Sequence, residues 1–142
     1  MKCALLLEED EASRAKTANV LKWLGYIVVA ARSPHAALHA TGSIRFDLIL
    51  TCTAIIPNDR RSLTGELKRA APNAAIILIA GEDQSHFNNY AGVNSVIRRP
   101  ATLDALRKVI EYQLDYELQP ASLLTKHERR HTSVRRYHIR NC

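Results

Sequence analysis

Two adjacent glutamates, Glu8 and Glu9, close the short apolar run CALLL near the amino end of the chain. Neighbouring carboxylates at the end of a buried strand could hold a hard cation such as Mg²⁺, with water and other oxygens completing the shell. The plainer alternative is a solvated acidic turn whose charge favours the amino end of the following helix. On spacing alone the acidic turn is the stronger reading. A second candidate lies in FDLILTCTAIIP, residues 46–57, where Thr51, Cys52 or Thr53 would face the crevice in which open α/β sheets keep their sites. Cys52 suggests thiol chemistry, but nothing places a histidine beside it, because His35, His39 and His86 fall in helical segments. A buried structural cysteine is the better account. His127, His131, His138 and Cys142 have the spacing of paired zinc ligands, yet no cysteine pair precedes them. The glycines at 25, 42, 65, 81 and 92 form no phosphate-cradling loop, which disfavours a nucleotide-using enzyme.

Charge separates the chain into two parts. Residues 119–142 carry six Lys and Arg against the single acid Glu128, whereas the remainder has 14 basic residues against 13 acidic ones. The basic character therefore belongs to the tail. Arg129, Arg130, Arg135 and Arg136, with Tyr137, could grip a nucleic-acid backbone weakly and without sequence preference, although a solvated or folded-back tail accounts for the same charges. Three widely spaced cysteines, Cys3, Cys52 and Cys142, argue against a disulfide framework and for a reducing, cytoplasmic setting. No apolar segment approaches the roughly 18 residues of a membrane helix, and the acidic turn after Leu7 does not resemble a signal peptide.

The elements that must position these residues can be read from apolar patterning. Strands are expected at 3–7, 26–31, over the run 46–57 as a fully buried central strand, at 74–80 and at 93–97. Helices are expected from Ala12 to Leu24, from the Ser33-Pro34 cap to about Ala40, around Leu63 to Ala70, weakly at 83–91, and from the Thr102 cap to about Leu118. Alternating strands and helices predict a parallel sheet with helices on both faces. Residues 1–118 would form this domain and residues 119–142 a basic extension. In the last helix Leu103, Leu106, Ile110, Leu114 and Leu118 form one stripe, expected on the sheet. Ala105, Val109, Tyr112 and Tyr116 form a second, expected almost opposite and open to a partner.

LLLEEDE, then a helix ending in WLGY, then FDLIL with a polar position five residues after its Asp, then AAIILIA, then VIRRP and a closing helix, together resemble the receiver domain of bacterial response regulators. The resemblance spans about residues 2–118. It implies a doubly wound, flavodoxin-like five-stranded parallel sheet in the order 2-1-3-4-5. It also implies Mg²⁺-assisted phosphoryl transfer from a histidine kinase to an Asp on the third strand. Several functional positions depart from that pattern. Glu8 and Glu9 match the acidic pair. The phosphoacceptor falls on Cys52 counting from Asp47, or on Thr53 counting back from Pro57. The switch hydroxyl falls at Ile79, the aromatic switch position at Val96, and the Lys-Pro pair at Arg99-Pro100.

An acyl phosphate needs a carboxylate nucleophile, and a thiol is a poor partner for Mg²⁺. The expectation is therefore a pseudo-receiver: a non-enzymatic signalling module that works by protein–protein contact without phosphorylation and without a resident metal. Arg99 would pair permanently with Glu8 or Glu9. The partner would be a histidine kinase, another response regulator or a second copy of the chain, through a face containing Val109, Tyr112 and Tyr116. Two alternatives stand beside it. One is a phosphorylatable receiver with an unusual acceptor, for which Asp59 is the candidate. The other is a small nucleic-acid-binding regulator that uses the tail.

Overall fold

The computed structural model describes residues 2–56, 61–81 and 91–118, the last six of these by backbone alone. Its elements are β1 (Lys2–Leu7), α1 (Glu11–Trp23), β2 (Tyr26–Ala31), α2 (Pro34–Thr41), β3 (Leu48–Thr51), α3 (Leu63–Ala70), β4 (Ala75–Ala80), β5 (Ser95–Arg98) and α4 (Leu103–Leu118). The five strands form one sheet in the order β2-β1-β3-β4-β5, every pairing parallel. This is the doubly wound arrangement expected from the alternating apolar runs. Residues 83–90 of the helix expected at 83–91, Asp59, and the whole tail with Arg129, Arg130, Arg135 and Arg136 lie outside the described residues, and Ala91 is an exposed turn residue.

Two apolar clusters cover the faces of the sheet. Leu5, Leu7, Ile49, Ile76, Leu78 and Val96 point to one side and pack against Ala37 of α2 and Leu63 and Leu67 of α3. Ala4, Leu6, Leu48, Leu50, Ile77, Ile79 and Ile97 point to the other, against Leu21 of α1 and Leu106 and Val109 of α4. Successive strand side chains alternate between faces, so a strand buried on both sides must be apolar throughout. All six residues of β4 and all four of β3 are buried.

Helix starts follow side-chain capping. Asp10, Ser33 and Ser62 each accept a hydrogen bond from a backbone N–H in the first turn of α1, α2 and α3. Thr102 Oγ1 accepts from Ala105 N at 3.1 Å and opens α4. Gly25, at φ +95°, takes the left-handed conformation that turns α1 into β2.

Three local expectations are corrected. The central strand is shorter than its apolar run. Thr51 Oγ1 donates to Thr53 O at 2.7 Å and accepts from Thr53 N at 3.2 Å, a local bond that draws the backbone off the ladder. The chain then folds back, with Ile55 bridged to Ser62 and Ile56 N bonded to Arg61 O. In α1 the buried residues are Thr17 and Leu21, while Ala15 is exposed and Trp23 is 83% exposed. In α4, Val109 does not lie opposite Leu106. Three residues of α-helix leave it about 60° away, and it joins Leu106 and half-buried Ile110 on the sheet. Val109 is core, not a partner face. Tyr112 is half-buried, and the side chain of Tyr116 lies outside the described residues.

Candidate functional site

The carboxyl ends of β1, β3, β4 and β5 open on one edge, and the loops leaving them carry the residues singled out from sequence. Strand periodicity separates the two glutamates. Glu8 continues the direction of Ala4 and Leu6 and is 3% exposed, whereas Glu9 is exposed to solvent. Only Glu8 enters the crevice. Asp10, not either glutamate, caps α1: its Oδ2 accepts from Ser13 N at 2.8 Å. That backbone bond is the main reason its carboxyl is held below the usual aspartate range. Arg14 was not singled out from sequence. Its Nη1 donates to Glu8 O at 2.9 Å and to Glu9 O at 3.3 Å, pinning the loop against the helix.

Glu8 is fully engaged. Its Oε1 lies 2.8 Å from Arg99 Nη2, and its Oε2 accepts from Asp10 N at 3.3 Å. The pair is asymmetric, with 4% of the Glu8 side chain exposed against 39% for Arg99. Arg99 reaches it because Arg99 N continues the sheet by bonding to Ala80 O at 3.0 Å. A cis peptide bond joins it to Pro100.

Cys52 stands directly beyond β3. Its backbone N–H donates to Leu7 O at 3.1 Å, which places it beside Glu8. Partial burial is the main cause that pushes its thiol up to about 11. The Glu8 carboxylate adds to that rise, and the Glu9 backbone N–H and Arg99 oppose it. At neutral pH the crevice therefore presents a protonated thiol. Thr53, the other acceptor candidate, is half-buried, and its hydroxyl donates to Ile55 O at 3.4 Å.

The two switch positions do not meet. Ile79 is 2% exposed on the face of α1 and α4, and Val96 is 4% exposed on the face of α2 and α3. Val96 is a core residue. Ile79, by contrast, lines a cleft of about 420 Å³ together with Glu8, Ser13, Lys16, Thr17, Arg99, Pro100 and Ala101. The residues at the strand ends do not fit Mg²⁺. Glu8 is taken by a guanidinium, Glu9 is turned outward, and a soft sulfur stands where a hard oxygen is needed. Among the described residues no group of three His, Cys, Asp or Glu could hold a metal ion.

Comparison with known proteins assigns the class of fold. No family model matches the sequence. No curated protein matches it either. Solved structures do match, among them receiver domains of the CheY-like fold. A response regulator receiver domain protein from Clostridium thermocellum superposes with a TM-score of 0.70 at 19% identity, covering 82% of this chain and 97% of its own. A CheY-like receiver domain protein from Methanospirillum hungatei JF-1 gives 0.67 at 25% identity, over 81% and 94%. Vibrio cholerae chemotaxis protein CheY4 gives 0.66 at 17%, over 79% and 98%. The chain thus has the fold of a whole receiver domain. No helix among the described residues is long and apolar enough to cross a membrane.

Proposed function

We propose that this chain is a pseudo-receiver: a signalling module of the response-regulator type that acts through protein–protein contact and undergoes no phosphorylation. The CheY-like fold supports a signalling role. The observation that carries the rest is the state of the crevice. The inward carboxylate of Glu8 is neutralised by Arg99 at 2.8 Å, and the neighbouring acceptor position holds a thiol. A guanidinium that already bridges to Glu8 takes the place of an ammonium free to follow an incoming phosphoryl group. Ile79 supplies no hydroxyl to pull its loop toward one. The pocket then keeps one shape, and regulation comes from what binds the domain.

Incubating the full chain with acetyl phosphate and Mg²⁺ and weighing it intact tests this reading. An unchanged mass is expected. A stable gain of one phosphoryl group would favour the rival in which another residue accepts it. The proposed partner surface is the face of α4 that carries the half-buried Tyr112, with a second copy of the chain as the simplest occupant. Tyr112→Glu is expected to lower the mass seen by light scattering, and an identical mass would remove this surface.

A further inference from the structure

The cleft beside the Glu8–Arg99 pair is not used by the reading above. It opens between α1 and the turn from β5 to α4, and its volume of about 420 Å³ lies in the range of small-molecule pockets. Its floor is apolar: Ile79, Pro100 and Ala101. Its polar groups favour an anion. Among the described residues Glu8 is the one carboxylate in the lining, it is buried, and both of its oxygens already have partners. Two cations face that single charge, Arg99 and Lys16. Among the described residues no carboxylate lies within ion-pair distance of Lys16. Thr17 is 6% exposed and lines the same space, and its hydroxyl makes no hydrogen bond among the described residues. The hydroxyl oxygen is not sealed from solvent, so it is open to donate to a group that occupies the cleft.

We infer that this cleft binds a small organic anion, a carboxylate or phosphate monoester on a compact apolar body. Lys16 and the exposed side of Arg99 hold its charge, the Thr17 hydroxyl donates to it, and Ile79, Pro100 and Ala101 take the apolar part. Because Arg99 is shared, occupancy is felt by the Glu8–Arg99 pair. Binding at the cleft can then shift a crevice that phosphorylation does not. This regulatory step rests on the pseudo-receiver reading; the binding site itself does not.

The test uses the full chain labelled with ¹⁵N, titrated at constant ionic strength with phenyl phosphate and separately with inorganic phosphate. Phenyl phosphate is expected to give saturable amide shifts at Ser13, Thr17 and Ala101, and to bind more tightly than inorganic phosphate. Lys16→Glu changes a solvent-exposed side chain, so its fold is retained, and it should weaken binding at least about tenfold. Thr17→Val keeps the shape without the hydroxyl and should weaken it severalfold. Absence of saturation, equal affinity in wild type and Lys16→Glu, equal affinity in wild type and Thr17→Val, or inorganic phosphate binding as tightly as phenyl phosphate would each overturn the proposal. Failure of the pseudo-receiver reading is seen elsewhere, as a mass gain with acetyl phosphate.

Discussion

Removing Arg99 should cost more than removing the charge it neutralises. In the intact chain Glu8 is 3% exposed, and Arg99→Ala removes its charged partner while leaving the Asp10 amide at 3.3 Å and the Cys52 thiol. Breaking a fully buried pair this way costs about 3–5 kcal/mol, and an exposed pair about 0–1. Because the guanidinium is 39% exposed, water can reach the vacated position. The expected loss is therefore intermediate, about 2 kcal/mol. With a urea m-value near 2 kcal/mol/M, that moves the unfolding midpoint down by about 1 M. Glu8→Gln leaves Arg99 free to turn to solvent and should cost less. The decisive variant is the double mutant, because neutralising Glu8 in the Arg99→Ala background should recover most of the lost midpoint. If Arg99→Ala melts like wild type, or if Glu8→Gln restores nothing, the pair is a surface contact and not the latch of the crevice.

Three further outcomes follow from particular contacts. Cys52, with its thiol pushed up to about 11, should be alkylated by iodoacetamide at pH 8 at least about tenfold more slowly in the native chain than in urea, and equal rates would contradict its environment. The same raised value sets a pH dependence. The protonated thiol is favoured in the fold, so stability is intact below the unfolded value of 9.0 and falls as pH rises through about 11, a loss that Cys52→Ala should abolish. Gly92→Ala should destabilise the chain by roughly 1–3 kcal/mol: Gly92 sits at φ +79°, where an added Cβ would come within 2.7 Å of Lys68 Cβ and 2.8 Å of Thr64 O. Gly25→Ala, strained at φ +95° but with nothing within 4 Å, should cost only about 1 kcal/mol, and urea melts of the two should rank them in that order.

The fold was legible because its signals are local and redundant. Runs such as AAIILIA have few options besides a strand buried on both faces, and Ser33-Pro34 and Thr102 cap the helices they were expected to open. The site was legible only in part. Sequence places Glu8 and Glu9 side by side, but the two-residue period of a strand sends one inward and the other to solvent. An apolar run does not reveal that Thr51 will bond to its own neighbour and end the ladder. Val109 looked like a second stripe because a helical wheel does not say how wide the covered face is; here the sheet covers Leu106, Val109 and part of Ile110. The cleft was out of reach. It joins Ser13, Lys16 and Thr17 on α1 with Ile79 and Arg99, residues far apart along the chain that meet only when β4 and β5 stand beside β1 and β3.

Manganese, which broadens the resonances of nearby amides, gives the most direct reading of whether the crevice is closed. In the ¹⁵N-labelled full chain, with Mn²⁺ added in trace amounts, the amide of Cys52 should broaden no more than that of Leu50, because Arg99 occupies the inward carboxylate. Selective broadening at Cys52 that disappears in Glu8→Gln would show a working metal pocket and contradict the account.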